Sequence, residues 1–418
     1  MITKNIKFDI NKYKKTELEN GLRVISEYIP NVESFALGIS INAGSRRDPQ
    51  GLSGLAHFFE HICFRDTENR SSKQIAYQFE SIGANTNAFT TKEMICFYAR
   101  ALKQHFNNTL DILSDLILYP KFNVKDIEKE RNIIIEEIKS IEDDPEELIF
   151  DITDNILFKN SGLAPAIAGT INSVKNISQE NLIVFKNKYI TPENIVISFT
   201  GNINHEKAVE EINRHFSHLK KNNFSNEFAK ISTHKTKTQF VKPYHQNHIV
   251  ICRKIPGIKH KDRISLIILA SLLGEGTSSR LYQKLREQRS LAYSIFANVH
   301  FFSDAGAFYI YIATDKSNAS KSKVLIFDEL QNLIEKKIHS TELKRAKELT
   351  KTNITIDLES LSARMQRLAK YEFIFGYNED VANVIEQINS IQVEDIKQTA
   401  IKYFDLGSWE TIEFVSNI

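Results

Sequence analysis

The order of strands and helices predicted for the first half of the chain recurs in its second half. A polar, lysine-rich segment without hydrophobic periodicity, residues 220–237, separates the halves and has the composition of a linker. A chain of 418 residues is also too long for one hydrophobic core of ordinary size. The sequence therefore predicts two related α+β domains, each a mostly antiparallel sheet with helices packed on one face. We expect them over residues 1–219 and 241–418, with a linker over residues 220–240.

In the first half, a turn signal and two hydrophobic periods define the predicted elements. Asn20 and Gly21 stand between two alternating stretches, which predicts a hairpin with a type I′ turn. Alternating apolar residues predict strands, and apolar residues three and four positions apart predict helices. On this basis we expect strands over residues 35–43 and 87–102 and helices over residues 55–64, 106–118 and 124–141.

The second half shows the same succession. The same two periods predict a strand over residues 248–252, a helix over 264–273, a strand over 307–313 and a helix from Thr341 onward. Residues 302–309, FSDAGAFY, also resemble residues 90–98, TTKEMICFY. A repeat of this kind indicates that one plan of strands and helices is used twice.

Composition excludes several classes of partner. Lys and Arg number 54 and Asp and Glu number 52, so the chain lacks the basic excess that a phosphate backbone requires and we expect no nucleic acid partner. The longest apolar run, residues 264–273, is far shorter than the roughly 20 residues that cross a bilayer, so we expect no membrane span. Three scattered cysteines and an N-terminus without a signal-peptide pattern favour a reducing, cytoplasmic location.

The predicted helix over residues 55–64 carries a metal-binding pattern. At about 100° per residue, His57, Glu60 and His61 fall within one arc of roughly 100°, while Phe58 and Ile62 lie on the opposite, apolar side. Histidines four residues apart can hold one zinc ion, and the carboxylate beside the second can reach a water molecule at the metal. The alternative is a surface helix with two solvated histidines. Because the pattern is rare by chance, we expect a metal site.

A zinc ion in a catalytic site usually has a third protein ligand, and residues 129–138, KERNIIIEEI, offer the best candidates. On a helical wheel, Glu130 and Glu137 border the apolar stripe, whereas Glu136 faces solvent. A carboxylate at the edge of a core needs a partner, since its burial alone is costly. We therefore predict Glu137 as the third ligand and Glu130 as a group that supports the site from behind. The alternative is a helix whose carboxylates are all solvated.

These motifs resemble a known family of peptidases. Residues 54–61, GLAHFFEH, followed by Phe64, are similar to the inverted zinc motif His-x-x-Glu-His, and residues 130–137 are similar to the family's downstream helix. The family is that of pitrilysin, insulin-degrading enzyme and the mitochondrial processing peptidase. The resemblance extends over nearly the whole chain and is nearest to the short two-domain bacterial and processing-peptidase-like members.

The resemblance implies a function for each of these residues. One zinc ion per chain would be held by His57, His61 and Glu137. Glu60 would take a proton from the attacking water and pass it to the leaving amine, and Glu130 would assist catalysis from a neighbouring position. The expected activity is that of a zinc-dependent endopeptidase acting on peptides or unfolded segments.

A substrate-binding strand is also implied by the resemblance. Residues 83–90, GANTNAFT, are similar to an edge strand that takes a peptide as an added strand through main-chain hydrogen bonds. Asn87, with Ala88 and Phe89, would then contact substrate. Without the resemblance, an ordinary hairpin arm after a glycine turn is the alternative.

The second half contributes a further pair of residues. Residues 276–294 are similar to the family segment that carries an Arg and Tyr pair for substrate. Arg286 would hold a peptide carbonyl or carboxylate, and the Tyr293 hydroxyl would hydrogen-bond the oxyanion. From the residues alone, Arg286 would be a solvated helix residue and Tyr293 a core residue of a strand. In two-domain members this pair acts across a dimer, so the resemblance implies a homodimer with Arg286 and Tyr293 acting in trans.

A function of a different class is the alternative. The family includes members that keep the fold without the chemistry, so the chain could be a non-catalytic scaffold or a subunit that depends on a partner. Such members lose zinc residues, whereas His57, Glu60, His61 and Glu137 are all present here. The sequence therefore favours the peptidase.

Overall fold

The computed structural model describes residues 13–222, 228, 237–336 and 338–418. Its strands, numbered in chain order, are β1 Tyr13–Glu17, β2 Arg23–Tyr28, β3 Ser34–Ile41, β4 Asn85–Thr90, β5 Ile95–Leu102, β6 Ile195–Gly201, β7 Lys237–Lys242, β8 Asn247–Pro256, β9 Ala292–Phe301, β10 Ala305–Thr314 and β11 Glu410–Ser416. Its helices are α1 Leu55–Cys63, α2 Ser72–Ser81, α3 Phe106–Leu118, α4 Val124–Asp143, α5 Pro145–Leu157, α6 Ile171–Asn176, α7 Gln179–Tyr189, α8 His205–Phe216, α9 Arg263–Gly274, α10 Ala319–Glu335, α11 Ser340–Asp357, α12 Leu361–Phe375, α13 Val381–Ser390 and α14 Val393–Tyr403. A π-helical segment, Tyr282–Glu287, precedes β9.

The described residues form two compact units, and each unit includes a segment from the other half of the chain. Unit 1 comprises the described residues up to Lys139, those between Pro165 and Ala229, and Ile356–Ala382. Unit 2 comprises Ser140–Ala164, the described residues between Lys230 and Thr355, and Asn383–Ile418. Helix α12 therefore belongs to unit 1, and helix α5 belongs to unit 2.

The sheet of unit 1 has the strand order β1-β2-β6-β3-β5-β4, so β4 lies at an edge. All neighbours are antiparallel except β2 and β6, which are parallel. Strand β3 shows how one sequence covers both faces. Phe35 packs on Phe106 of α3 with ring centres 5.2 Å apart, whereas the small Ala36 and Gly38 face Met365 of α12. Alternating large and small residues thus give room for a helix on the second face.

The sheet of unit 2 has five strands in the order β7-β11-β8-β10-β9, which repeats the order β2-β6-β3-β5-β4 of unit 1. Strands β7 and β11 are its parallel pair, as β2 and β6 are in unit 1. One face packs on α9, α10 and α14 through a large apolar cluster. The other face packs on α5, where Ile149 and Leu157 join a cluster with Val250 and Tyr309. The repeated strand order confirms the predicted fold class of two related α+β domains. Each main helix layer covers one face of its sheet, and one helix from the other half of the chain packs on the second face.

The structure corrects two local predictions. The strand predicted over residues 87–102 is two strands, β4 and β5, joined by a turn over residues 91–94. The Thr91 side chain accepts hydrogen bonds from the N–H groups of Glu93 and Met94, which closes this turn. The first hairpin exists, but its turn is not type I′. Among its described residues only Gly21 has a positive φ, at 89°, which is typical of a longer loop with one left-handed glycine.

No helix within the described ranges is long and apolar enough to cross a membrane.

Candidate metal centre

Helix α1 is fixed at its start by a carboxylate from the preceding turn. Asp48 accepts hydrogen bonds from the N–H groups of Gly54 at 2.8 Å and Ala56 at 2.9 Å. These are N–H groups that the first turn of a helix cannot satisfy within itself. Gly54 has a φ of 93°, and a Cβ there would lie 2.6 Å from the Ala168 carbonyl oxygen, so this position requires glycine. Burial raises the pKa of Asp48 to about 7.

Three side chains converge where α1 faces α4. The Nε2 atom of His57 lies 3.7 Å from one carboxylate oxygen of Glu137, and the Nε2 atom of His61 lies 3.7 Å from the other. The two imidazole rings are 4.6 Å apart. Ligand atoms of these three residues lie within 4.8 Å of one another, and no other such group of three or more His, Cys, Asp or Glu residues is found in the described part of the chain.

The donor set fits a zinc ion. Zinc takes imidazole nitrogen and carboxylate oxygen at about 2.0–2.2 Å in a tetrahedral set, which places neighbouring donors about 3.4 Å apart. The observed separations from Glu137 are close to this value. Burial lowers the pKa of His57 to about 4, with a smaller contribution from His61, so this imidazole is neutral and keeps a lone pair for a metal. Its buried Nδ1 has no hydrogen-bond partner among the described residues.

Glu130 connects the second histidine to an arginine. The Nδ1 atom of His61 lies 3.1 Å from one oxygen of Glu130, and Arg65 donates to the other oxygen. Burial opposes the charged forms, but these contacts raise the pKa of His61 and lower that of Glu130. A hydrogen bond at Nδ1 leaves Nε2 free to face Glu137, which is the usual arrangement behind a metal-binding histidine.

Helix α4 presents its glutamates as the helical wheel predicts. The Glu130 side chain is 5% exposed, the Glu137 side chain 42% and the Glu136 side chain 71%. Glu136 pairs only with Lys139, three residues along the same helix, among the contacts of the described residues. The wheel therefore separates the two glutamates that face the histidines from the one that faces solvent.

Glu60 is buried beside this group. It is 9% exposed, and burial raises its pKa even though Thr90 donates a hydrogen bond to its Oε2 atom at 2.5 Å. Thr90 is the last residue of β4. The sequence analysis places it in a predicted strand but predicts no contact between it and Glu60. Its position 30 residues from Glu60 gives no sequence signal, because only the course of β4 alongside α1 brings the two together.

The predicted substrate strand lies at the edge of the unit 1 sheet. Strand β4 pairs with β5, and its other edge pairs with no strand of the described residues. Asn87 is exposed, and Ala88 and Phe89 are half-buried, with the Phe89 ring 6.2 Å from the ring of Tyr98. The main chain of β4 is therefore open to an added strand.

Arg286 and Tyr293 belong to unit 2. Arg286 is exposed near the end of the π-helical segment, with its guanidinium carbon 5.0 Å from the ring centre of Tyr282. Tyr293 is the second residue of β9 and is 74% exposed, so the reading of it as a core residue is wrong. An exposed tyrosine and an exposed arginine seven positions apart remain available to a ligand or partner.

The sequence matches known peptidase domains over most of its length. Residues 23–171 match the family described as Insulinase (Peptidase family M16), and residues 176–350 match the family described as Peptidase M16 inactive domain. A relative from Bacillus subtilis named "Uncharacterized zinc protease YmxG" is 32% identical over 391 residues, covering 94% of this chain and 95% of the relative. The chain belongs to peptidase family M16.

Other relatives have the same two-domain length. A family M16 relative from Rickettsia bellii, named "Uncharacterized zinc protease", is 30% identical and covers 97% of this chain and 98% of the relative. The fold is similar to a protease from Helicobacter pylori, with a TM-score of 0.87 and 23% identity over 96% of this chain and 99% of that one. It is also similar to a peptidase M16 inactive domain from Pseudomonas fluorescens, with a TM-score of 0.90 and 18% identity over 98% and 99% of the two chains.

The predicted site residues of the first half all lie in the first of the two matched M16 regions. His57, Glu60, His61 and Glu137 fall within residues 23–171, and none falls within the region described as inactive. Both parts of the resemblance predicted from sequence, the family and its short two-domain form, are thus confirmed.

Proposed function

We propose that this chain is a zinc-dependent endopeptidase that cleaves peptides or unfolded segments. The proposal depends on one observation above all: the imidazoles of His57 and His61 on α1 converge with the carboxylate of Glu137 on α4. The buried carboxylate of Glu60 lies on α1 between the two histidines. Membership of family M16 and the naming of relatives as zinc proteases support it. The donor set is that of catalytic zinc sites, in which three protein ligands leave a position for water.

The chemistry follows from the placement of each side chain. His57, His61 and Glu137 would hold one zinc ion, which when bound would polarise a water molecule and the scissile carbonyl. Glu60 takes a proton from the attacking water and later donates it to the leaving amine. Because burial raises the pKa of Glu60, its protonated form is more accessible than that of a solvated carboxylate. Glu130 holds the ring of His61 in the orientation that presents Nε2.

The exposed edge of β4 would bind the substrate main chain as an added strand, with Asn87, Ala88 and Phe89 in contact with it. Arg286 and Tyr293, both exposed, would contact substrate from a second copy of the chain in a homodimer. The dimer, these contacts, the domain boundaries and a cytoplasmic location remain predictions from the sequence.

The test is cleavage of a mixed peptide library by the purified chain, with and without a chelator, beside two variants. Glu60→Gln removes the base and keeps the ligands, so it should retain zinc while kcat falls about 10²- to 10⁴-fold. Glu136→Gln is the matched control on the exposed side of α4 and should cleave as the wild type does. A Glu60→Gln variant that keeps most of the activity would contradict the proposal.

The non-catalytic alternative predicts a different result in the same experiment. A scaffold or a partner-dependent subunit would bind zinc at the three ligands and cleave no member of the library. Zinc content measured on the same samples separates this outcome from simple loss of the metal.

A further inference from the structure

A hydrogen bond from Thr90 fixes the carboxylate of Glu60. The Thr90 hydroxyl donates to Oε2 at 2.5 Å, and no hydrogen bond from the described residues reaches Oε1. The terminal torsion of a glutamate is otherwise broad, so this bond selects one orientation of the carboxylate plane. One oxygen is thereby held and the other remains for a water molecule.

The backbone at Thr90 is held by the turn that follows it. Thr91 donates its N–H to the Met94 carbonyl at 2.8 Å, and its hydroxyl oxygen accepts N–H bonds from Glu93 at 3.3 Å and Met94 at 3.0 Å. Each bond closes within four residues, so the end of β4 has little freedom to move relative to β5.

A second segment, residues 44–48, packs against this turn. The N–H of Ser45 donates to the Thr91 carbonyl at 3.0 Å, and the N–H of Arg46 donates to the Lys92 carbonyl at 2.8 Å. Gly44 approaches so closely that a Cβ there would lie 2.2 Å from the Thr91 carbonyl oxygen. The backbone of this segment therefore sets the position of the turn, and through it the position of Thr90.

The same segment also holds the helix that carries Glu60. Asp48 accepts the N–H bonds of Gly54 and Ala56 at the start of α1, at 2.8 and 2.9 Å. Residues 44–48 thus bind the turn after β4 at one end and the start of α1 at the other. Both partners of the hydrogen bond between Thr90 and Glu60 are held by five consecutive residues.

From this geometry we infer that Thr90 is a positioning residue for the base Glu60, and that residues 44–48 set the distance between them. The inference rests on the proposed function, since it assigns a role within that reaction. In this role Thr90 acts on the base Glu60, to which its hydroxyl donates. Catalytic carboxylates need this kind of support, because a small displacement of the reacting group is costly in rate.

The experiment compares Thr90→Val, Thr90→Ser and a control, Thr200→Val, in the zinc-loaded full chain. Valine keeps the shape of threonine and removes the donor, so kcat should fall about 10- to 100-fold with KM and zinc content unchanged. Serine keeps the hydroxyl and should restore most of the rate. Thr200 is a buried threonine of β6 that donates to the Leu361 carbonyl at 2.7 Å, so its valine variant loses a comparable bond away from the base and should keep kcat.

A second readout needs no activity. In protein stripped of metal, the effects of Thr90→Val and Glu60→Ala on stability should be non-additive. The unfolding equilibrium constant of the double variant should differ about fivefold or more from the value expected if the two single effects simply added. Additive effects would show that the hydrogen bond does not form. If Thr90→Val does not fold, Thr90→Ala takes its place with the same expected loss of kcat.

The outcomes separate this inference from the function on which it rests. An active, chelator-sensitive wild type whose Thr90→Val variant keeps kcat within about twofold overturns the role of Thr90 alone. A loss of kcat that Thr90→Ser does not restore also overturns it, because the hydroxyl would then not be the group that matters. A zinc-loaded wild type without cleavage overturns the proposed function itself.

Discussion

Replacing Glu130 with glutamine should weaken zinc binding, although glutamine has nearly the same shape. The two oxygens of Glu130 have separate partners, His61 on one side and the cation of Arg65 on the other. Glutamine offers one acceptor oxygen and one NH₂ donor. If its oxygen faces Arg65, the NH₂ group meets Nδ1 of His61, and if its oxygen faces His61, the NH₂ group meets Arg65. One of the two contacts is lost in either orientation.

The expected size follows from the kind of bond that is lost. A hydrogen bond to a charged group contributes about 1.5–3 kcal/mol. Partners behind a metal-binding histidine typically change metal affinity by about 10- to 100-fold, which is about 1.4–2.8 kcal/mol. The two estimates agree. Glu130 is buried, so water does not replace the lost hydrogen-bond partner. We therefore expect the Kd for zinc to rise by about 10- to 100-fold in Glu130→Gln.

The assay is competition for zinc between the protein and a chromophoric chelator at fixed pH. Glu136→Gln on the same helix is the control and should leave the Kd unchanged, because its side chain is exposed. Adding Arg65→Met should reduce the loss, since the glutamine oxygen can then turn to His61 without leaving a cation unpaired. A Glu130→Gln variant with a Kd within about twofold of the wild type would refute this account of the histidine's support.

Three further predictions concern stability. Ser290 has a φ of 51°, so Ser290→Gly should raise the free energy of unfolding by about 1 kcal/mol, seen as a higher midpoint in denaturant; a lower midpoint would show that the hydroxyl stabilises the turn. Burial in the folded protein raises the pKa of Asp48 to about 7, so the folded state favours the protonated carboxyl group. The contribution of Asp48 to the free energy of unfolding should therefore fall by roughly 2–3 kcal/mol as the pH rises from 5 to 8. Asp48→Asn should lack that part of the pH dependence, and equal slopes for the two proteins would contradict the assignment. A Cβ at position 38 would lie 2.2 Å from the Met365 sulfur, so Gly38→Ala should cost about 1–3 kcal/mol alone and less in a Met365→Ala background; additive costs would exclude the contact.

Local sequence patterns were enough to predict that His57, His61 and Glu137, the ligands we propose, lie close together. His57, Glu60 and His61 lie on one helix, so their common face follows from helical geometry alone. Glu137 could be separated from Glu136 because the apolar stripe of α4 fixes which side of that helix is buried. We predicted that α1 and α4 lie side by side because two histidines at a catalytic zinc site require a further protein ligand.

Contacts that depend on the course of a sheet could not be predicted. Thr90 reaches Glu60 only because β4 ends beside α1. The sequence predicted one continuous strand over residues 87–102, so it did not show that a strand ends at Thr90. The turn over residues 91–94 is four residues long. Because four is a multiple of two, the alternation of strand residues stays in phase across the turn and does not reveal it. The sequence also did not predict that α5, from the first half of the chain, packs in unit 2 and that α12, from the second half, packs in unit 1. An apolar stripe shows that a helix is buried, but it does not show which sheet the helix covers.

Each half of the chain contributes one helix to the unit built mainly from the other half: α5 belongs to unit 2 and α12 to unit 1. This arrangement limits how the protein can be cut into fragments. A fragment ending near residue 219 would lack α12, and the face of its sheet around Ala36 and Cys96 would be left bare to solvent. A fragment beginning near residue 241 would lack α5 and expose the apolar cluster that contains Tyr309. Such surfaces favour aggregation, so truncation at the linker is the wrong way to make either half. Conversely, a chain nicked there should stay together as a two-fragment complex, because each fragment carries a helix built into the other unit.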